Sequence, residues 1–196
     1  MKKAAPTLTD FVYAPLVSTG KASPGNPTMH DDAKGIPFLS AMATEDLEVG
    51  ERLAAPSGGG VERFVFIAGG ILPLGAPHPD IEALGMKIEG GEAHCADPDG
   101  LLFHDVDPAV AEKYKAFITY QPAEGWVGNC THCGWEKAPS SYIIAENDRA
   151  LPLQLQEACA GIAKSEVIKI PTGHMPMLSD PKLLAEKVIS CLQLQE

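Results

Sequence analysis

The sequence predicts an α/β fold in which a parallel sheet is flanked by helices, and three features of the chain lead there. Residues 141–194 alternate strand, helix, strand, helix. Residues 61–68 form a short β-branched and aromatic run closed by two glycines. Residues 71–137, between these blocks, lose regular periodicity in the way an inserted cap or lid does. Strand, helix, strand in succession implies right-handed crossovers and parallel pairing.

Residues 1–34 are rich in Pro, Gly, Ser and Thr, with one apolar patch from Phe11 to Val17, and read as a short strand followed by loop. From Gly35 to Leu53 the apolar positions Ile36, Leu39, Ala43, Leu47 and Leu53 recur at roughly helical spacing, with Pro37 suited to the first turn. This helix ends at Ala54-Ala55-Pro56-Ser57-Gly58-Gly59-Gly60. The run from Val61 to Ala68 suits a buried parallel strand. Asp107 as N-cap and Pro108 as first helical residue open a helix through Phe117. Then come a strand from Ser141 to Ala145, a helix from Pro152 to Ala163, a strand from Glu166 to Ile170 and a terminal helix from Asp180 to Leu194. With 196 residues, 45% of them hydrophobic, the whole chain reads as one domain.

Composition narrows the function classes. Twenty-six acidic against 15 basic residues give a net charge of -11, which argues against nucleic acid or an anionic membrane surface as partner. Small neutral or cationic ligands remain open. The apolar run from Phe64 to Leu74 is interrupted by Gly69, Gly70 and Pro73 and is about half the roughly 20 residues a bilayer requires. Lys2 and Lys3 lead into Pro6 and Asp10 rather than an apolar signal core. Five cysteines without repeating spacing fit free thiols in a reducing compartment. The expectation is a soluble cytoplasmic protein without cofactor.

The residues fit for chemistry lie in the last third. In parallel sheets, chemistry gathers at the carboxyl ends of the strands. Asp148 follows the strand ending at Ala145 by three residues, and His174 follows the one ending at Ile170 by four. Such a histidine serves as general base and acid, oriented by the aspartate through its second ring nitrogen. The plainer reading has Asp148 capping the next helix and His174 in a surface turn.

The segments Pro139-Ser140-Ser141-Tyr142-Ile143-Ile144-Ala145-Glu146-Asn147-Asp148 and Gly173-His174-Met175-Pro176-Met177-Leu178-Ser179-Asp180-Pro181 resemble the α/β-hydrolase superfamily. The similarity is greatest to small fungal and bacterial hydrolases related to plant esterases and hydroxynitrile lyases. The resemblance implies that the first segment ends in the triad acid, Asp148, and that the second carries the triad histidine, His174. Val61-Glu62-Arg63-Phe64-Val65-Phe66-Ile67-Ala68 is similar to the family strand that comes after the nucleophile helix, and Phe103-His104-Asp105-Val106-Asp107 to its cap region. It further implies that residues 71–137 form the lid and that the ancestral substrate is a small hydrophobic ester.

One element of the family is missing. Its serine occupies a Gly-x-Ser-x-Gly elbow, a strained strand-to-helix turn with backbone N–H groups beside it for the oxyanion. No such pattern occurs in the 196 residues. Gly35-Ile36-Pro37-Phe38-Leu39-Ser40-Ala41 is similar to the stretch immediately after the family serine, whereas Thr28-Met29-His30-Asp31-Asp32-Ala33 resembles the start of an earlier helix. The junction at Lys34 and Gly35 therefore reads as a deletion, the sheet as incomplete, and residues 1–34 as a remnant. An incomplete sheet leaves an apolar edge at residues 61–68 that invites a homodimer, unless residues 11–17 fill part of the gap.

No other residue replaces the serine convincingly. Ser40 falls inside a helix, Ser57 in a loop at the helix's far end, and Ser140 and Ser141 at the amino end of their strand, the wrong edge. Cys95 neighbours His94, but adjacent side chains rarely face each other. Cys130-Thr131-His132-Cys133 has the C-x-x-C spacing of a zinc or redox pair, without a second ligand pair, so incidental lid thiols are the leading reading and no metal is expected. His30, His78 and His104 show no partner in sequence.

Overall fold

The computed structural model describes residues 63–131 and 133–193. The expected strand at 11–17, the helix at 35–53, the junction at Lys34 and Gly35, and Ser40 and Ser57 lie outside these residues. In chain order the described strands are β1 (Phe64–Ile67), β2 (Met86–Glu89), β3 (Glu92–Cys95), β4 (Gln121–Pro122), β5 (Ser140–Ala145) and β6 (Glu166–Ile170). The helices are α1 (Pro98–Leu101), α2 (Pro108–Lys115), α3 (Leu153–Ile162), α4 (Pro176–Ser179) and α5 (Pro181–Gln193).

Strands β1, β5 and β6 form a parallel sheet in that spatial order. Phe64 stands opposite Ser140 and Ile67 opposite Ile143, while Ser141 pairs with Glu166 and Ala145 with Ile170. Residues 141–145 have no solvent exposure. Their alternation sorts the core into two layers. Tyr142 and Ile144 face Ile71 and Ala160, with Trp135, Leu153 and Ile162 packed around them. Ile143 faces the other way, against Ile170, Leu184 and Cys191. Helix α3 therefore covers one face and α5 the other, and each fully buried isoleucine contributes about 1.5–3 kcal/mol.

The amino edge of this sheet is closed by polar contacts. Arg63 donates to Ser141 Oγ at 3.0 Å and to Glu166 Oε2 at 2.9 Å. The Ser140 and Ser165 hydroxyls lie 2.6 Å apart. Ser140 and Ser141 thus sit at the edge expected for them, held in structural hydrogen bonds.

Residues 71–137 are more regular than their periodicity suggests. Strands β2, β3 and β4 make a small antiparallel sheet, with Met86 opposite Cys95 and Glu92 opposite Pro122. Gly90 and Gly91, both at positive φ (59° and 87°), form its two-residue turn, a pairing that glycine adopts without steric penalty. The Gly-Gly pair between Ile88 and Ala93 was the available signal, obscured because β2 is only 4 residues long and largely exposed. Helix α2 begins as its sequence predicts: Asp107 accepts from the Ala109 and Val110 amides at 2.9 and 3.2 Å, with Pro108 in the first turn. The terminal helix expected from Asp180 is α5, and the short helix α4 precedes it, separated from it by Asp180. No described helix is long and apolar enough to cross a membrane.

Candidate active site

Hydrogen bonding between β5 and β6 continues past the strands. The Glu146 amide donates to the Ile170 carbonyl at 2.9 Å and the Asn147 amide to Thr172 at 3.0 Å. The Asn147 side chain adds a bond to the Pro171 carbonyl at 3.1 Å. These contacts clamp the loop after β5 to the loop after β6. Asp148 and His174, 26 positions apart, meet as a result: His174 Nδ1 lies 2.8 Å from Asp148 Oδ2.

The aspartate does two tasks at once. Oδ1 accepts from the Ala150 and Leu151 amides at 2.8 and 2.9 Å, the turn-capping role of the plainer reading. Oδ2 accepts from His174 Nδ1–H and, at 3.4 Å, from Gln156 Nε2. The carboxylate side chain has no solvent exposure, whereas the histidine side chain retains 27%. A buried carboxylate is tolerable only with its lone pairs satisfied, and these four donors satisfy it. With Nδ1 carrying the proton donated to Asp148, Nε2 is the basic nitrogen. Such a pair can accept a proton from a nucleophile, water or substrate and hold it while Asp148 stabilises the imidazolium.

The parallel sheet that carries the site agrees with comparisons to known proteins. The model of the alpha/beta hydrolase family matches residues 22–187. The chain belongs to the alpha/beta hydrolase family. The hydrolase-family chain is 27% identical, over 159 residues, to the alpha/beta hydrolase nvfD of Aspergillus novofumigatus; the match takes in 75% of this chain and 60% of that protein's length. A methylesterase from Arabidopsis superposes with a TM-score of 0.62 at 11% identity, covering 86% of this chain and 79% of the other. An extracellular alpha/beta-hydrolase from a Paenibacillus species superposes with a TM-score of 0.58 at 16% identity, covering 86% and 81%. These likenesses establish the fold, of which the described residues carry a partial parallel sheet.

Three residues around the Asp148–His174 pair are silent in the sequence. Gln156, fully buried on α3, faces the end of β5. The β1 pairing stops at Ile67, so the Gln156 carboxamide stands in for the next peptide. Its Oε1 accepts from the Ala145 amide at 2.9 Å, and its Nε2 donates to the Ala145 and Leu151 carbonyls at 3.0 and 2.8 Å. In sequence a glutamine on a helix reads as surface.

The other two are His104 and Asp105. His104 Nε2 donates to the Asn147 carbonyl at 2.9 Å, and Asp105 Oδ2 accepts from the Gly173 amide at 2.5 Å. One side chain grips the acid's loop and its neighbour the histidine's. Gly173 leaves room for this contact, since a Cβ would fall 2.5 Å from Asp105 Oδ1 and 2.8 Å from His104 Cε1 and force those side chains to shift. Met175 and Leu178 add apolar contact to Phe103, Val106 and Ala111. His104 thus has a definite partner, and His78 packs edge-on near Trp126.

On the other flank, Ala68 ends β1 at a positive φ of 44°, and the Tyr142 hydroxyl donates to the next carbonyl, that of Gly69, at 2.6 Å. Burial, with Cys159 nearby, pushes the Tyr142 pKa well above its ordinary value. Cys95 lies in β3, and burial likewise raises its thiol. No cluster of three or more metal-ligating side chains occurs among the described residues.

Proposed function

We propose that this chain retains the acid and base of a serine hydrolase of small esters while lacking its nucleophile, so that ester turnover is weak or absent. The Asp148–His174 hydrogen bond supports the first half of the reading. The absence of Gly-x-Ser-x-Gly from the full sequence supports the second. Together these observations carry the proposal, because His174 without an elbow serine has a proton acceptor but no covalent acceptor for an acyl group. Residues 71–137 serve as the lid over a pocket for a small hydrophobic, ester-like molecule. The grip of His104 and Asp105 on both site loops supports that assignment.

The test is incubation of the purified protein with short-chain p-nitrophenyl esters and a fluorophosphonate probe. Turnover at or near the chemical background, with no labelled band, is expected. Ester turnover that disappears in His174→Ala, accompanied by a labelled serine, overturns the reading.

A second reading rests on the exposed side of His174. A base with its Nδ1 held and its ring partly open can abstract a proton without any covalent step, as a lyase or isomerase requires. Its signature is substrate turnover that depends on His174 while the fluorophosphonate labels nothing. A noncatalytic binding role predicts ligand affinity unchanged by His174→Ala and weakened by apolar substitutions in the lid. A homodimer through β1, the edge strand of the described sheet, is proposed as well; light scattering showing a monomer at tens of micromolar rejects it.

A further inference from the structure

Cys130 and Cys133 have no part in the site, yet the fold brings them together. Their sulfurs lie 3.8 Å apart, and both face the same acceptor, the Leu72 carbonyl, at 3.7 and 3.6 Å. The surrounding backbone is tied down on either side. The Gly75 amide donates to the Cys130 carbonyl at 2.7 Å, the Cys130 amide to Ala76 at 2.8 Å, and the His78 amide to Gly128 at 3.1 Å. Pro77 and Asn129 form an antiparallel bridge within this lacing. Cys133 then begins the short 3₁₀ turn Gly134–Lys137, whose Trp135 packs on the cluster of Ile71, Tyr142, Ile144 and Ala160.

We propose that Cys130 and Cys133 form a reversible redox disulfide site, whose bond closes a short loop in the segment entering β5 and releases the Leu72 carbonyl on the segment leaving β1. The sulfurs need only approach from 3.8 Å to about 2.0 Å, a movement within the reach of side-chain rotation. Both residues are half-buried, so a small disulfide reaches them from solvent.

The oxidant is a low-molecular-weight disulfide such as glutathione disulfide. One cysteine, as thiolate, attacks a sulfur of the small disulfide, forming a mixed disulfide and expelling one small thiolate. The second cysteine, as thiolate, attacks the protein sulfur of that mixed disulfide and expels the other. The two cysteine protons end on the two released small thiols; the protein pair is oxidised by two electrons and the small disulfide is reduced. The Cys133 thiol is pushed up to about 11, chiefly by burial and then by its neighbour Cys130, so exchange accelerates as the solution becomes alkaline.

The intact protein is equilibrated in glutathione buffers of graded oxidation at mildly alkaline pH, acid-quenched, alkylated and digested for mass spectrometry. The expected result is one peptide holding both cysteines that loses two hydrogen atoms cooperatively and recovers under dithiothreitol. Cys95, Cys159 and Cys191 remain reduced. Trp135 is expected to lose emission with the same midpoint, and Cys133→Ser is expected to abolish both signals. Three outcomes overturn the proposal. These are a pair still fully reduced in glutathione disulfide alone, separate glutathione adducts on single cysteines, or stoichiometric zinc that copurifies with the protein and is lost in Cys133→Ser.

Discussion

Replacing Gln156 by leucine removes the polar link between β5, the turn at Asp148 and α3 while nearly preserving volume. Of the groups the carboxamide serves, the Ala145 carbonyl keeps a second donor, the Asp148 amide at 3.2 Å. The Ala145 amide, fully buried, and the Leu151 carbonyl, part-buried, lose the partners they have. An unpaired buried backbone group costs about 2 kcal/mol, giving ~4 kcal/mol for two, and the better burial of leucine returns ~1 kcal/mol. The expected net loss is about 3 kcal/mol, a large share of the roughly 5–15 kcal/mol that holds a domain folded. Urea unfolding followed by far-ultraviolet circular dichroism measures it. Gln156→Glu sharpens the argument, because it keeps Oε1 for the Ala145 amide but brings a second carboxylate against Asp148 Oδ2, where the amide nitrogen sits at 3.4 Å. That variant is expected to be less stable than Gln156→Leu at neutral pH and to recover relative to wild type on mild acidification. A loss below about 1 kcal/mol for Gln156→Leu refutes the view that this side chain replaces a strand peptide.

The remaining expectations concern the site loops and the buried titratable groups. Tyr142→Phe removes the donor to the Gly69 carbonyl and is expected to lower stability by about 1–1.5 kcal/mol; an unchanged urea midpoint counts against a structural hydrogen bond there. Gly173→Ala drives a methyl group into Asp105 and His104 and is expected to lose about 1–2 kcal/mol, read as a lower Tm in differential scanning fluorimetry. Full retention of Tm shows instead that the two side chains yield freely. Burial raises Tyr142 above its ordinary 10.0 and Cys95 and Cys191 above 9.0, so the folded state holds protons that the unfolded chain releases. Their contribution is therefore complete below about pH 9 and declines as pH rises through their folded values; urea unfolding that is flat from about pH 8 to pH 11 rejects this linkage.

How much of the fold and site is legible in the sequence varies with the distance over which each signal acts. The helix cap at Asp107-Pro108 and the strands β5 and β6 come from neighbouring residues, and they stand where local chemistry puts them. Asp148 and His174 are legible as a pair because both come after parallel strands, whose carboxyl ends must share an edge. The terminal helix from Asp180 is legible too, since Pro181 suits a first helical turn, whereas the four-residue α4 before it is too short to leave a periodic signal.

Composition, period and motif carried the α/β class, the family and the two residues that hold each other at 2.8 Å. These properties depend on residues within a few positions of one another along the chain, where side-chain periodicity and capping operate. Tertiary structure alone decided that Gln156 would finish β5, that His104 and Asp105 would bind the two site loops, and that Cys130 and Cys133 would face one carbonyl. Each answers a backbone group left over when distant segments meet. That demand does not exist until the chain has folded, so no local pattern records it.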